Sequence, residues 1–120
     1  GWDMEAALLS VDLQSITAHV TLARLDKAWR KTVAQDPVGA MMGFYILRGD
    51  HIEMTNVISE TPYLPGNEVA MELQLEPTDD DEPYIIMPTT YEPNKVGEFI
   101  VRVSANKPKF ELHKLIEDHS

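Results

Sequence analysis

The chain of 120 residues contains no cysteine. That excludes a disulfide framework, a thiolate metal site and a cysteine nucleophile, and it suits a reducing compartment such as the cytoplasm. Basic residues are scarce: ten Lys plus Arg stand against twenty Asp plus Glu, a formal net charge of −10. Proteins that bind nucleic acid neutralise phosphates with Lys and Arg, so no nucleic acid is expected as a partner. An anionic membrane repels such a chain on average unless cations bridge the two. No stretch approaches the roughly 18–20 apolar residues of a spanning helix. The N-terminus has no basic region followed by an apolar run, so no signal peptide is expected, and Gly1 in place of Met is expected of a chain cut from something longer.

What is present is ordinary globular material. The hydrophobic fraction of 43% and the charged fraction of 25% are those of a folded domain. Disorder requires low hydrophobicity as well as charge. The length predicts one domain over residues 1–120, with one modest core.

Alternation of apolar and polar residues dominates, which is the period of half-buried strands. Leu9, Val11 and Leu13 alternate with Ser10 and Asp12. Ile16, Ala18, Val20 and Leu22 alternate with Thr17, His19, Thr21 and Ala23, and the join through Gln14 and Ser15 is short enough for a hairpin. Residues 39–47 read as a strand, Arg48, Gly49 and Asp50 as a turn, and residues 51–58 as a further strand through Ile52, Met54, Asn56 and Ile58. Residues 59–66 hold two Pro and a Gly and read as a loop. The cleanest alternation sets Val69, Met71, Leu73 and Leu75 against Glu68, Ala70, Glu72 and Gln74. An acidic loop follows over residues 76–83, then a strand over 84–90 whose pairing Pro88 closes. Phe99, Val101 and Val103 mark another strand, and residues 110–116 a last strand or a short terminal helix. Only residues 26–37 break the pattern, as a helical turn or a long loop. About seven or eight short strands without a long helix predict an all-β fold, an antiparallel β-sandwich or a barrel, and exclude the alternating βαβ plan.

Two charged clusters stand out. Glu76, Asp79, Asp80, Asp81 and Glu82 crowd one loop. Such a loop is solvated surface, a weak site for a divalent cation such as Ca²⁺, which takes roughly six to eight oxygens, or one side of a salt bridge to a basic neighbour. The candidate metal ligands are Asp79, Asp80, Asp81 and Glu82, although the glycine and spacing of an EF-hand are missing. The opposite charge concentrates at Lys27, Ala28, Trp29, Arg30 and Lys31, which makes Trp29, Arg30 and Lys31 the candidate partner-binding residues. An exposed Trp among cations is a plausible binding anchor, whereas the average Trp is highly buried, and the core reading is favoured. His19, His51, His113 and His119 show no zinc spacing, and no Gly-x-Ser-x-Gly elbow is present. No catalytic site is expected in this chain.

Residues 83–103 read Pro-Tyr-Ile-Ile-Met-Pro-Thr-Thr-Tyr-Glu-Pro-Asn-Lys-Val-Gly-Glu-Phe-Ile-Val-Arg-Val. Within them Pro88, Thr89, Tyr91, Glu92, Pro93, Asn94, Gly97, Glu98, Phe99, Arg102 and Val103 resemble the signature of calpain domain III: an apolar strand, Pro-Ser/Thr-Thr-Phe/Tyr-Glu-Pro, a polar turn, Gly, then Glu/Asp-Phe and an Arg-Val strand. Residues 17–30 and Gly43, Phe44, Tyr45 and Ile46 resemble the family's upstream strands more loosely. The Gly-Gly-Cys and Asn-Pro-Gln-Phe segments that usually open the domain are absent. The acidic loop here precedes the strand at residue 84 instead of lying near the domain's start, so the family's acidic-loop role is not carried onto Asp79, Asp80, Asp81 and Glu82.

The resemblance implies a C2-like sandwich without catalysis, serving as a regulatory or interaction module of a calpain-like cysteine protease or an inactive relative. Its expected partners are the protease core, other domains of the parent protein and protein partners. A Ca²⁺-dependent phospholipid-binding module and a self-assembly module are the alternatives, and the cytoplasm, with membrane or cytoskeleton association, is the expected location.

Overall fold

A computed structural model describes residues 6–25, 27–49, 51–79, 82–90, 99–108 and 110–114. The strands are β1 Ala7–Val11, β2 Ile16–Arg24, β3 Met42–Arg48, β4 Val57–Glu60, β5 Glu68–Leu75, β6 Tyr84–Thr90, β7 Phe99–Ala105 and β8 Phe110–Lys114. A helix, α1 Trp29–Gln35, lies between β2 and β3, and a 3₁₀ turn, Met54–Asn56, precedes β4. The strands form a five-stranded sheet in the order β4-β3-β6-β1-β8 and a three-stranded sheet in the order β5-β2-β7. Every pair is antiparallel, so the chain is an all-β sandwich.

The alternation explains how the sheets meet. Leu9, Val11, Phe44, Ile46, Tyr84 and Ile86 from the larger sheet pack against Ile16, Ala18, Val20, Leu22, Val69 and Leu75 from the smaller. Burying side chains of this size contributes about 1.5–3 kcal/mol each before entropy is counted. The outer face of the small sheet carries His19, Glu68, Glu72, Gln74, Arg102 and Ser104, all exposed. The outer face of the large sheet is apolar at its centre, where Leu47, Ile85 and Met87 join Ala6, with Leu8, Tyr45, Ile52 and Val57 packed around them. All seven residues of β6 are therefore buried.

Four expectations need correction. β1 and β2 do not form a hairpin, because they belong to different sheets and face one another across the core. Alternation states which face is buried, not which strand lies alongside. Leu13 is not on the buried face: it is 84% exposed at φ +65, in the corner that carries the chain from one sheet to the other. Residues 51–58 are not one strand, since the 3₁₀ turn occupies Met54–Asn56 and pairing starts at Val57 and runs on through Glu60. Pro88 does not close β6, which continues to Thr90 against β3. Phe44 opposite it spends its N–H and C=O on Thr61, so the Phe44–Pro88 pair is a non-hydrogen-bonded one and the missing N–H of Pro88 costs no bond to β3. Of the segments left open, residues 26–37 contain α1 and residues 110–114 are strand.

Because all strands run antiparallel, the connections sort into two groups. Those between β1 and β2, β3 and β4, β5 and β6, and β7 and β8 meet at one end of the sandwich. Those between β2 and β3 and between β4 and β5 meet at the opposite end.

Candidate interaction surfaces at the two ends

The acidic connection between β5 and β6 crosses from the small sheet to the large one, and the Tyr84 side chain ties its two ends together. The Glu76 N–H donates to the Tyr84 hydroxyl oxygen at 3.0 Å, and that hydroxyl donates to the Glu76 carbonyl at 3.1 Å. Arg48 Nη1 donates to the same oxygen at 3.2 Å, which completes the one donor and two acceptor positions of a phenol. The Arg48 guanidinium also lies 5.4 Å over the Tyr84 ring and reaches Glu82, with Nε 3.6 Å from Oε2. Both partners of that ion pair are well exposed, so it contributes little by itself.

Three further contacts fix the loop. Thr78 pairs with the end of β1: its N–H donates to the Val11 carbonyl, and the Val11 N–H donates to Thr78 Oγ1, both at 2.9 Å. Ser15 Oγ donates to Glu76 Oε2 at 2.6 Å. The Gly49 N–H donates to the Pro83 carbonyl at 2.8 Å, from a backbone at φ +110 that favours glycine. Of the expected turn over Arg48, Gly49 and Asp50, Arg48 is instead the last residue of β3, Gly49 leaves the strand, and Asp50 lies outside the described residues. Of the candidate metal ligands, Asp79 and Glu82 are exposed, and Asp80 and Asp81 lie outside the described residues. Among the described residues, no group of three or more His, Asp or Glu side chains is arranged to hold a metal ion.

The basic cluster sits at the other end, so the sandwich separates the two charges and does not join them. Arg24, the last residue of β2, anchors this end. Arg24 Nε donates to the Gly66 carbonyl at 2.8 Å, Nη2 donates to the Ala40 carbonyl, and the guanidinium lies 5.3 Å over the Phe99 ring. One side chain thus binds the two connections described at this end. The helix α1, in the connection from β2 to β3, buries no residue. Trp29 and Val33, four apart and on one face, are half-buried; Lys27, Arg30 and Lys31 are exposed. The expectation of a core Trp29 is overturned: it lies outside both apolar clusters, with the Arg30 guanidinium 5.0 Å over its ring. Leu25 and Val38 flank the helix at 49% and 44% exposure.

Beside this end Tyr45 and Tyr63 share a hydrogen bond at 3.3 Å. That bond, followed by burial and the neighbouring charges of Tyr63 and Glu60, pushes the Tyr45 phenol up to about 12.

The profile of the family described as calpain large subunit, domain III, matches residues 11–104. The chain belongs to that family. The match spans β2 through β6 and most of β7, and so includes both ends of this domain III. Within the resembling stretch, Pro88 and Thr89 lie on β6 and Phe99, Arg102 and Val103 on β7; residues 91–98, with Tyr91, Glu92, Pro93, Asn94, Gly97 and Glu98, lie outside the described residues. Gly43 in the upstream stretch has a steric reason of its own. A Cβ there would stand 2.8 Å from Thr61 Oγ1 and 3.2 Å from the Pro62 carbonyl oxygen. No curated protein matches the chain.

Sequence reasoning missed the side chains that hold these ends in place: Arg24, Arg48, Thr78 and Tyr84. The available signal for Arg24 was a single Arg at the end of a strand otherwise composed of apolar residues, Thr and His. Arg48 was absorbed into a turn.

Proposed function

We propose that this domain III is a non-catalytic regulatory or interaction module of a calpain-type cysteine protease or an inactive relative, working in the cytoplasm through contacts with that protein's other domains or with protein partners. The observation that carries the reading is the family match across both sheets. The geometry supports it. The described polar groups at the acidic end serve mainly to fasten the fold, whereas α1 presents cations and apolar side chains that the sandwich does not use. The test is lysine crosslinking with mass spectrometry on a full-length chain that carries this domain. Links from Lys27 and Lys31 to other domains or to a co-purifying protein support the reading. Links confined to the domain's own lysines would sink it.

One observation favours the Ca²⁺-dependent phospholipid alternative. The acidic loop shares its end of the sandwich with three other connections, the grouping that an apical ion site requires. Calorimetry with Ca²⁺, run beside thermal melting, decides the matter, because a ligand of the folded state raises its stability. Heat and a raised melting temperature at micromolar Ca²⁺, both abolished by Asp79→Asn, would transfer the function to the acidic end. Silence at millimolar Ca²⁺ leaves the protein-contact reading in place.

A further inference from the structure

The α1 segment breaks rules that a helix of purely structural purpose keeps. It is seven residues long, buries no side chain, and has Ala28 at its N-cap without a side-chain hydrogen bond. Its first turn contains no acidic residue, and Arg30 and Lys31 stand there instead, at the end where cations oppose the helix dipole. Lys27 adds a like charge four residues before Lys31. In a chain with twice as many carboxylates as bases, none of these three cations makes an ion pair or hydrogen bond among the described residues. Cations that break local rules and find no ion pair or hydrogen bond among the described residues mark a site for a partner outside them.

We propose that this end of the sandwich docks an acidic segment of a partner protein, with carboxylates on Lys27, Arg30 and Lys31 and an apolar side chain against Trp29, Val33 and Val38. The inference rests on the reading of the domain as a protein-contact module and names the partner's chemistry. Charge complementarity identifies the occupant. Stacking on Trp29 holds the planar Arg30 guanidinium in place while its N–H edge remains available, which is the preorganisation that carboxylate recognition rewards. Half-buried Trp29 between cations supplies the aromatic anchor typical of such contacts. A lipid surface fits less well. Three basic side chains draw only modest attraction from an anionic bilayer, and so short a helix offers little apolar face to insert.

The experiment is an NMR titration of the isotope-labelled chain with a synthetic peptide of alternating Asp or Glu and Leu, and with a control in which every acid is replaced by Lys. The acidic peptide shifts resonances over residues 27–38, and affinity falls about tenfold between about 50 and about 300 mM salt, as expected for exposed charge pairs. The Lys peptide does not bind. The triple variant Lys27→Glu, Arg30→Glu, Lys31→Glu loses at least about tenfold in affinity, which a three-charge contact requires, while its spectrum outside α1 stays unchanged, showing that it is folded. Trp29→Ala, which keeps every charge, weakens binding about fivefold or more. Unmoved α1 resonances would overturn the inference, and so would equal binding of the Lys peptide. Pelleting with vesicles containing about 30 mol % phosphatidylserine, abolished by the triple variant, would replace the protein partner with a membrane. If the peptide fails while the full-length chain still crosslinks through other faces of the domain, the inference falls and the broader function stands. If the crosslinks fail as well, both fall.

Discussion

The acidic loop and the basic cluster lie at opposite ends of this sandwich, and among the described residues the fold makes different use of them. At the acidic end, Glu76 and Glu82 find partners in Ser15 and Arg48, and Thr78 and Tyr84 bind the loop to β1 and β6. At the basic end, one cation, Arg24, is consumed by the fold, while Lys27, Arg30 and Lys31 stand away from it. Charge that a fold has used to fasten itself is an economical explanation of its own presence. Charge left unused on a poorly supported helix asks for a partner.

The comparison breaks most severely at Arg24. Arg24→Ala leaves the Gly66 and Ala40 carbonyls without this donor and removes the stack on Phe99. A loss of about 3 kcal/mol is expected from two charge-assisted hydrogen bonds and lost packing, read from urea unfolding. Arg24→Lys recovers only part of it, because an ammonium cannot span two carbonyls as a planar fork does. On the acidic side Tyr84→Phe keeps the buried ring but removes the hydroxyl that serves the Glu76 N–H, the Glu76 carbonyl and Arg48. The expected cost is about 2 kcal/mol. Amide exchange of Glu76 and Gly49 should quicken more than that of β2, because the opening is local to this end.

These two anchors also show where sequence reading succeeds. The strands β2 and β5 were legible almost to the residue, because each buries one face and the period of two is written along the chain. The number and spacing of such segments pointed to a sandwich or a barrel, and the resemblance to calpain domain III to the sandwich. What the chain could not show was partnership. Arg24 reaches across 42 residues to Gly66, and Thr78 across 67 to Val11; no local pattern records either contact. The same gap produced the false hairpin, since the alternation in residues 9–22 is identical whether two strands lie side by side or face each other across a core. For the candidate site the clusters themselves were legible as composition, but their separation to opposite ends was not, because only the topology sets it.

A smaller effect sharpens the comparison at the acidic end. Thr78→Val retains the β-branched shape and the N–H bond to the Val11 carbonyl, and deletes the hydroxyl that accepts from the Val11 N–H and donates, at 3.4 Å, to the Val11 carbonyl. About 1 kcal/mol is expected, again from urea unfolding. A null result there would mean that water replaces Oγ1 at no cost and that Tyr84 and the remaining backbone bonds secure the loop.

The smallest effect on stability is expected at α1, where the argument for function is strongest. Lys27→Glu with Lys31→Glu touches no hydrogen bond or ion pair of the described residues, so the change should stay within about 0.5 kcal/mol. Its sign is informative. Acidic residues near the start of a helix are favourable to the dipole, so the double variant is expected to be slightly more stable, by a few tenths of about 1 kcal/mol. A melting temperature that rises or stays level while affinity for the acidic peptide drops would show that the two lysines are kept at a small cost in stability for the contact they make. A clear loss of stability would mean instead that α1 depends on these cations internally, and the contrast between a fastened end and an unspent one would fail.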